Sequence, residues 1–128
     1  MENVAKTIGY VVYAVAKADR KIKVSERATI HRLIDENWNL LADSEDPFGV
    51  RAMEYIDKMI VELEKKNIKS EEAFLEFKES YQIVKNEFSS DLKDFLLKLC
   101  VETAGSFNRM NKSELVLVSR IEMILIED

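Results

Sequence analysis

Apolar residues recur at steps of three and four almost from end to end of the chain, the spacing that lines one face of an α-helix. No stretch carries the two-residue alternation of a half-buried strand. The pattern predicts six helices. The first runs from about Glu2 to Ala18, with Val4, Ile8, Val11, Val12 and Val15 on one face. The second runs from about Val24 to Trp38, with Ile30, Leu33, Ile34 and Trp38 inward. An acidic connection, Ala42-Asp43-Ser44-Glu45-Asp46, follows. Pro47 then fits the first turn of a third helix, where a missing N–H costs nothing, with Asp46 as its cap. That helix carries the stripe Met53, Ile56, Ile60 and Leu63, and Asn67 is placed to end it.

Ser70 reads as the cap of the fourth helix, and Glu71 and Glu72 suit the positive end of its dipole. Its stripe is Phe74, Phe77, Tyr81, Val84 and Phe88. An aromatic stripe at helical spacing reads as core in a bundle rather than as an open peptide groove. Ser89-Ser90-Asp91 breaks and restarts the chain, and the fifth helix buries Leu92, Phe95, Leu96, Leu99 and Cys100. The sixth starts after Asn111 and buries Leu117, Val118, Ile121, Ile124 and Leu125. The expected fold is all-α, a compact bundle of about six helices.

Composition narrows this further. A chain of 128 residues makes one domain, 1–128, with a sizeable core. Only 3 Gly and 1 Pro leave few turns, which favours long helices over an all-β fold. A net charge of −5 argues against general nucleic-acid binding, which needs a basic surface to neutralise phosphates. Cys100 is the single cysteine, so no internal disulfide exists; its apolar neighbours make it a buried, inert thiol. The apolar run from Gly9 to Ala16 is far below the ~20 residues needed to cross a bilayer. Glu2 is unlike the basic leader of a secretion signal, so the run reads as a core helix. The expectation is a cytoplasmic protein with no transmembrane segment.

Two segments share one design. Asp19-Arg20-Lys21-Ile22-Lys23-Val24-Ser25-Glu26 joins the first two helices, and Phe107-Asn108-Arg109-Met110-Asn111-Lys112-Ser113-Glu114 joins the last two. In the second, Asn111 and Glu114 have the spacing of a capping box, and Met110 and Leu115 that of a hydrophobic staple. In the first, Ile22 and Glu26 hold the equivalent places, but Lys23 has no acceptor to offer, so that cap is weaker. Ala16 matches Ala104, Ser25 matches Ser113 and Arg32 matches Arg120. The correspondence suggests a pseudo-two-fold helix-turn-helix repeat.

At these residues the chain resembles the tellurite-resistance TerB-like family. That family's first signature is an alanine-rich helix ending in Ala-Asp-Gly-x-Ile, with Glu four residues on. Ala16-Lys17-Ala18-Asp19-Arg20-Lys21-Ile22 and Glu26 are similar, with Arg20 where Gly is usual. The second signature falls on Phe107-Asn108-Arg109-Met110 and Glu114; Phe107 replaces the Asp and Asn108 the Gly. Asn tolerates a left-handed turn. The resemblance implies a helical bundle with pseudo-two-fold character and a link to stress response. The same domain type occurs beside J-domains in membrane-anchored co-chaperones, which implies an adaptor role. It further implies an acidic, metal-binding surface, of which Asp19, Glu26 and Glu114 carry over.

Three carboxylates suit a hard cation such as Ca²⁺ or Mg²⁺. Arg20, Lys21, Lys23, Arg109 and Lys112 stand beside them and oppose a divalent ion, so the expectation is no cofactor beyond a weakly held cation. The same cations suggest a different use. Arg20, Lys21, Lys23 and Arg27 come from one turn, and Arg109, Lys112 and Arg120 from its counterpart. If brought together they form a basic patch on an acidic protein, suited to an acidic tail or a phosphorylated ligand. His31 lies one turn before Asp35, at pairing distance on a helix. No nucleophile with an orienting partner, Gly-rich phosphate loop or Cys/His metal spacing is visible. The reading is a non-catalytic interaction module with a protein partner; a divalent-cation sensor is the alternative, and a homo-oligomer is compatible with either.

Overall fold

The first helix is apolar on almost every side, and such a helix belongs at the centre of a bundle. In the computed structural model, which describes residues 2–18, 22–105 and 109–127, α1 (Glu2–Lys17) is that centre, packed mainly on α3 (Val50–Lys65) and α4 (Ser70–Val84) and also on α5 (Ser90–Thr103). α2 (Val24–Glu36) and α6 (Lys112–Ile126) pack on α5. Short 3-10 turns follow α2 (Trp38–Leu40) and α4 (Lys85–Glu87), and among the described residues there is no strand. The fold is the expected all-helical bundle. No described helix is long and apolar enough to cross a membrane.

The burial of α1 goes beyond the single face read from its valines. Ala5, Thr7, Gly9, Tyr13, Ala14 and Ala16 are buried as well. Tyr13 aside, their small size is the reason: a Cβ on Gly9 would stand 2.8 Å from Met59 Sδ on α3. On the α4 side, Thr7 Oγ1 donates to Asn3 O at 2.8 Å and lies 2.5 Å from Ser80 Oγ.

Three boundaries differ from expectation. α2 stops at Glu36 because the Asn37 side chain turns back to donate to Leu33 O (2.8 Å). Trp38 therefore leaves the helix face; it is 42% exposed and packs against Phe48 at 5.6 Å between ring centroids. α3 begins at Val50 rather than at Pro47. Gly49 sits at φ 67, a left-handed turn that no helix continues through, and a side chain there would meet Trp38 O at 3.0 Å. Asp46 still caps α3 from a distance, its carboxylate accepting the N–H groups of Arg51 (3.2 Å) and Ala52 (3.1 Å). Ser70 is the first residue of α4 rather than its cap, and its hydroxyl donates to Ala14 O at 2.6 Å.

Asn67 ends α3 as expected. It takes φ 53, with Ile68 N–H donating to Leu63 O (3.1 Å) and Asn67 N–H to Glu64 O (2.9 Å), the paired bonds of a Schellman turn. The aromatic stripe read for the fourth helix is core, with Phe88 past the end of α4 and its 3-10 turn: Phe77 lies 6.1 Å from Phe74 and 5.8 Å from Tyr81, and Tyr81 lies 5.2 Å from Phe88. Ser89 caps α5 by accepting from Leu92 N–H at 3.1 Å. Asn111 and Glu114 form the expected capping box of α6, at 2.8 and 3.1 Å. Ile22 is buried and Met110 packs half-buried against the core. The starts of the two matching segments, 19–21 and 107–108, lie outside the described residues.

Candidate functional site

The C-terminal half of α1 holds the corner between α3 and α4 in place. The buried Tyr13 hydroxyl donates to Ile68 O (2.5 Å), with Leu63 O 3.2 Å away. Lys17 Nζ donates to Asn67 Oδ1 at 3.1 Å, and Ser70 to Ala14 O as above. These bonds fix the start of α4. A second clamp then fixes α6 against it. Arg120 donates through both terminal nitrogens to the Glu71 carboxylate, at 2.8 and 3.1 Å. The same guanidinium stands 4.1 Å from the centre of the Phe74 ring. Planar two-point contact and stacking on an aromatic face are what Arg does and Lys does not. The hydrogen bond to Arg120 holds the Glu71 carboxyl below its ordinary range, and the hydrogen bond to Glu71 raises Arg120 in turn.

Two adjoining cavities open where these elements meet. One, of about 400 Å³, is lined by Ala18, Ser70, Glu71, Lys112, Ser113, Val116, Leu117 and Arg120. The other, of about 520 Å³, is lined by Lys17, Ala18, Asn67, Lys69, Ser70 and Glu71. They share Ala18, Ser70 and Glu71 and together make one groove at the end of α1 and the starts of α4 and α6. Among the described residues Lys17, Lys69, Lys112 and Arg120 line it with one carboxylate, that of Glu71, on a chain of net charge −5. A third cavity of about 370 Å³ has the opposite character, with Glu2, Asp43, Glu45 and Asp46 beside Arg51. Two of its acids are committed to local structure: Asp43 Oδ1 accepts the N–H groups of Glu45 (2.9 Å) and Asp46 (2.8 Å), and Asp46 caps α3.

Of the cations singled out in the sequence, Lys112 and Arg120 line the groove, Arg120 as a paired cation. Lys23 and Arg27 are exposed at the start of α2, and Arg109 is exposed just ahead of α6; none lines either half of the groove. Arg20 and Lys21 lie outside the described residues, as does Asp19. The other two carboxylates are helix caps. Glu26 accepts the Lys23 N–H at 2.8 Å and Glu114 the Asn111 N–H at 3.1 Å, both largely buried. Among the described residues no cluster of three or more His, Cys, Asp or Glu is placed to hold a metal.

His31 faces α3 rather than Asp35: its Nδ1 lies 3.3 Å from Asp57 Oδ2, with both side chains well exposed. Cys100 is fully buried, and burial pushes its thiol up to about 12, as an inert core cysteine requires. Lys17, Lys69 and Glu71 are the site residues that sequence reading passed over. Glu71 was legible only as a helix-start acid, since its partner Arg120 stands far away in sequence. No protein-family model, curated protein or solved structure matches the chain.

Proposed function

We propose that the chain is a non-catalytic interaction module that holds an acidic peptide segment of a protein partner in the groove between α1, α4 and α6. The observation that carries this reading is the lining of that groove by Lys17, Lys69, Lys112 and Arg120. Arg120 is already matched by Glu71 and gives rigidity more than free charge. Lys69 and Lys112 are exposed on the rim and supply the attraction. Surface charges of this kind set on-rate and partner choice more than raw affinity. Binding is therefore weak and falls with salt, because charges on the rim are screened beyond roughly 8 Å at physiological ionic strength. The likeness of the two turns to the TerB-like signatures supports placing the chain with that family's helical adaptor domains.

The test is a fluorescence-anisotropy titration of a labelled Asp/Glu-rich peptide into the full chain at low and at physiological salt. Lys69→Glu with Lys112→Glu is expected to weaken binding at least tenfold at low salt while leaving the helical circular dichroism intact. A scrambled peptide of the same charge reports how much of the affinity is shape. Equal affinity for the wild type and the doubly reversed chain would remove the groove as the partner site.

A further inference from the structure

α6 has two apolar faces where a helix on the surface of a bundle needs one. Leu117, Val118, Ile121, Ile124 and Leu125 are buried against the bundle. On the opposite side Leu115, Val116, Met123 and Ile126 are 45%, 51%, 61% and 73% exposed. At 100° per residue, Val116, Ser119, Met123 and Ile126 fall in one stripe, with Leu115 on its edge. Their steps alternate three and four, the seam spacing of a two-helix coiled coil. The other strongly exposed apolar side chains, Val24, Val61, Leu75 and Ile83, lie on other helices. Trp38, Phe48 and Val50 form a second patch, but Glu45 and Asp46 flank it in the chain, and a second copy would set like charges face to face.

We propose that α6 pairs with α6 of a second copy of this chain, antiparallel, across the seam centred on Ser119. Ser119 is its smallest member and lets the two helices approach at the axis. Turning the helix end for end about Ser119 sets Leu115 level with Met123 of the second copy, Val116 with the stem of its Glu122, and Lys112 beside its Ile126 and Glu127. A basic start therefore meets an acidic end twice, and the two helix dipoles oppose favourably. A parallel arrangement would set Lys112 against Lys112 and Glu127 against Glu127. The four apolar side chains expose on the order of 400 Å², within the range at which a patch marks an interaction site. With the flanking Lys112, Ser119, Glu122 and Glu127 the face approaches the roughly 600 Å² per partner at which specific interfaces begin. Ser113, Leu117 and Arg120 lie round the helix from the seam, so the groove keeps its floor, and Lys112 and Val116 form a rim common to both surfaces.

The test is sedimentation equilibrium of the full chain from micromolar to submillimolar concentration, with two variants. The expected result is a concentration-dependent rise from the 14.8 kDa monomer to twice that mass. Met123→Glu, at an exposed position, is expected to leave helicity unchanged, and melting unchanged in dilute solution where both chains are monomeric, and to weaken association at least tenfold. Ser119→Cys is expected to form a disulfide with its counterpart under oxidised glutathione at least ten times faster than Ile83→Cys, an exposed control on α4. Cys100, fully buried, stays silent in both. A chain that remains monomeric at submillimolar concentration overturns the proposal. So does association undiminished by Met123→Glu, or equal cross-linking of the two cysteine variants.

Discussion

Tyr13 and Tyr81 allow one chemical change to be made twice with opposite expected sign. Both are buried, on packed faces of α1 and α4. The Tyr13 hydroxyl is bonded at 2.5 Å to Ile68 O, whereas the Tyr81 hydroxyl is buried with no partner among the described residues. Tyr13→Phe removes a hydrogen bond and leaves a carbonyl of the α3–α4 corner short of a donor, a loss of about 1–2 kcal/mol. Tyr81→Phe removes a hydroxyl that was desolvated without compensation, so it is neutral or stabilising by about 1 kcal/mol. At this chain length about 1 kcal/mol moves the melting temperature by roughly 4 °C. Thermal circular dichroism should therefore place Tyr13→Phe about 4–8 °C below the wild type and Tyr81→Phe level with it or a few degrees above. Urea unfolding with an unchanged slope would assign both shifts to stability rather than to the unfolded chain. A second readout comes from pH. Burial, then the nearby Glu64 and Glu72, raise the Tyr13 phenol above its ordinary value of 10.0. The unfolded chain ionises first, so this contribution is intact below pH 10.0 and is lost as pH climbs through the higher native value. Tyr13→Phe should lose less stability above that pH than the wild type does. A Tyr81→Phe variant as destabilised as Tyr13→Phe would refute the reasoning, because the two hydroxyls would then have equal partners.

The Glu71–Arg120 clamp should respond to acid. Glu71 is held below its ordinary 4.5, so its contribution is present above that pH and is lost as pH falls through the native value. Both side chains are more than a third exposed, so Glu71→Gln should cost less than ~1 kcal/mol at pH 7 and nothing at pH 2, read by urea unfolding at each pH. Millimolar Ca²⁺ or Mg²⁺ should leave the melting temperature within about a degree, because Glu26 and Glu114 already serve as caps; a rise of several degrees, abolished by Asp19→Ala, would establish a cation site. Saturating acidic peptide should shift the sedimentation equilibrium toward monomer, since Lys112 and Val116 border both surfaces and linked equilibria act reciprocally; an unchanged dimer would separate the two surfaces.

The helices were legible because the apolar period survives any tertiary arrangement; what it hides is how many sides of a helix are covered. The valines of α1 mark one face, and the alanines and Gly9 of the other give no signal until α3 and α4 close on them. Local capping reads well where the partners are three residues apart, as at Asn111 and Glu114. It misreads where a side chain has a stronger distant use. Ser70 has the composition of a cap and serves as a tether to Ala14, and Pro47 has the composition of a helix start but precedes a left-handed glycine. The groove is the extreme case. Lys17, Lys69, Glu71 and Arg120 belong to three helices, and nothing local to any one of them announces the others.

The positions of the lysines carry an argument of their own. A helix start is positive, so acids stabilise it and cations do not. The chain follows that rule at Glu2, at Glu71 and Glu72, and at Asp91. It also sets Lys23 at the N-cap of α2, Lys69 at the N-cap of α4 and Lys112 as the first residue of α6. At Lys69 no side chain supplies the capping bond that Ser89 and Asn111 provide elsewhere in the same fold. Places where a sequence departs from local rules without local gain are where function is to be sought. Solubility is served as well by lysines at helix C-termini, where each also stabilises the dipole. Two of the three misplaced lysines line one groove, together with Lys17 and Arg120. The proposed recognition of an acidic segment at that groove would account for both their charge and their placement, which surface solvation alone does not.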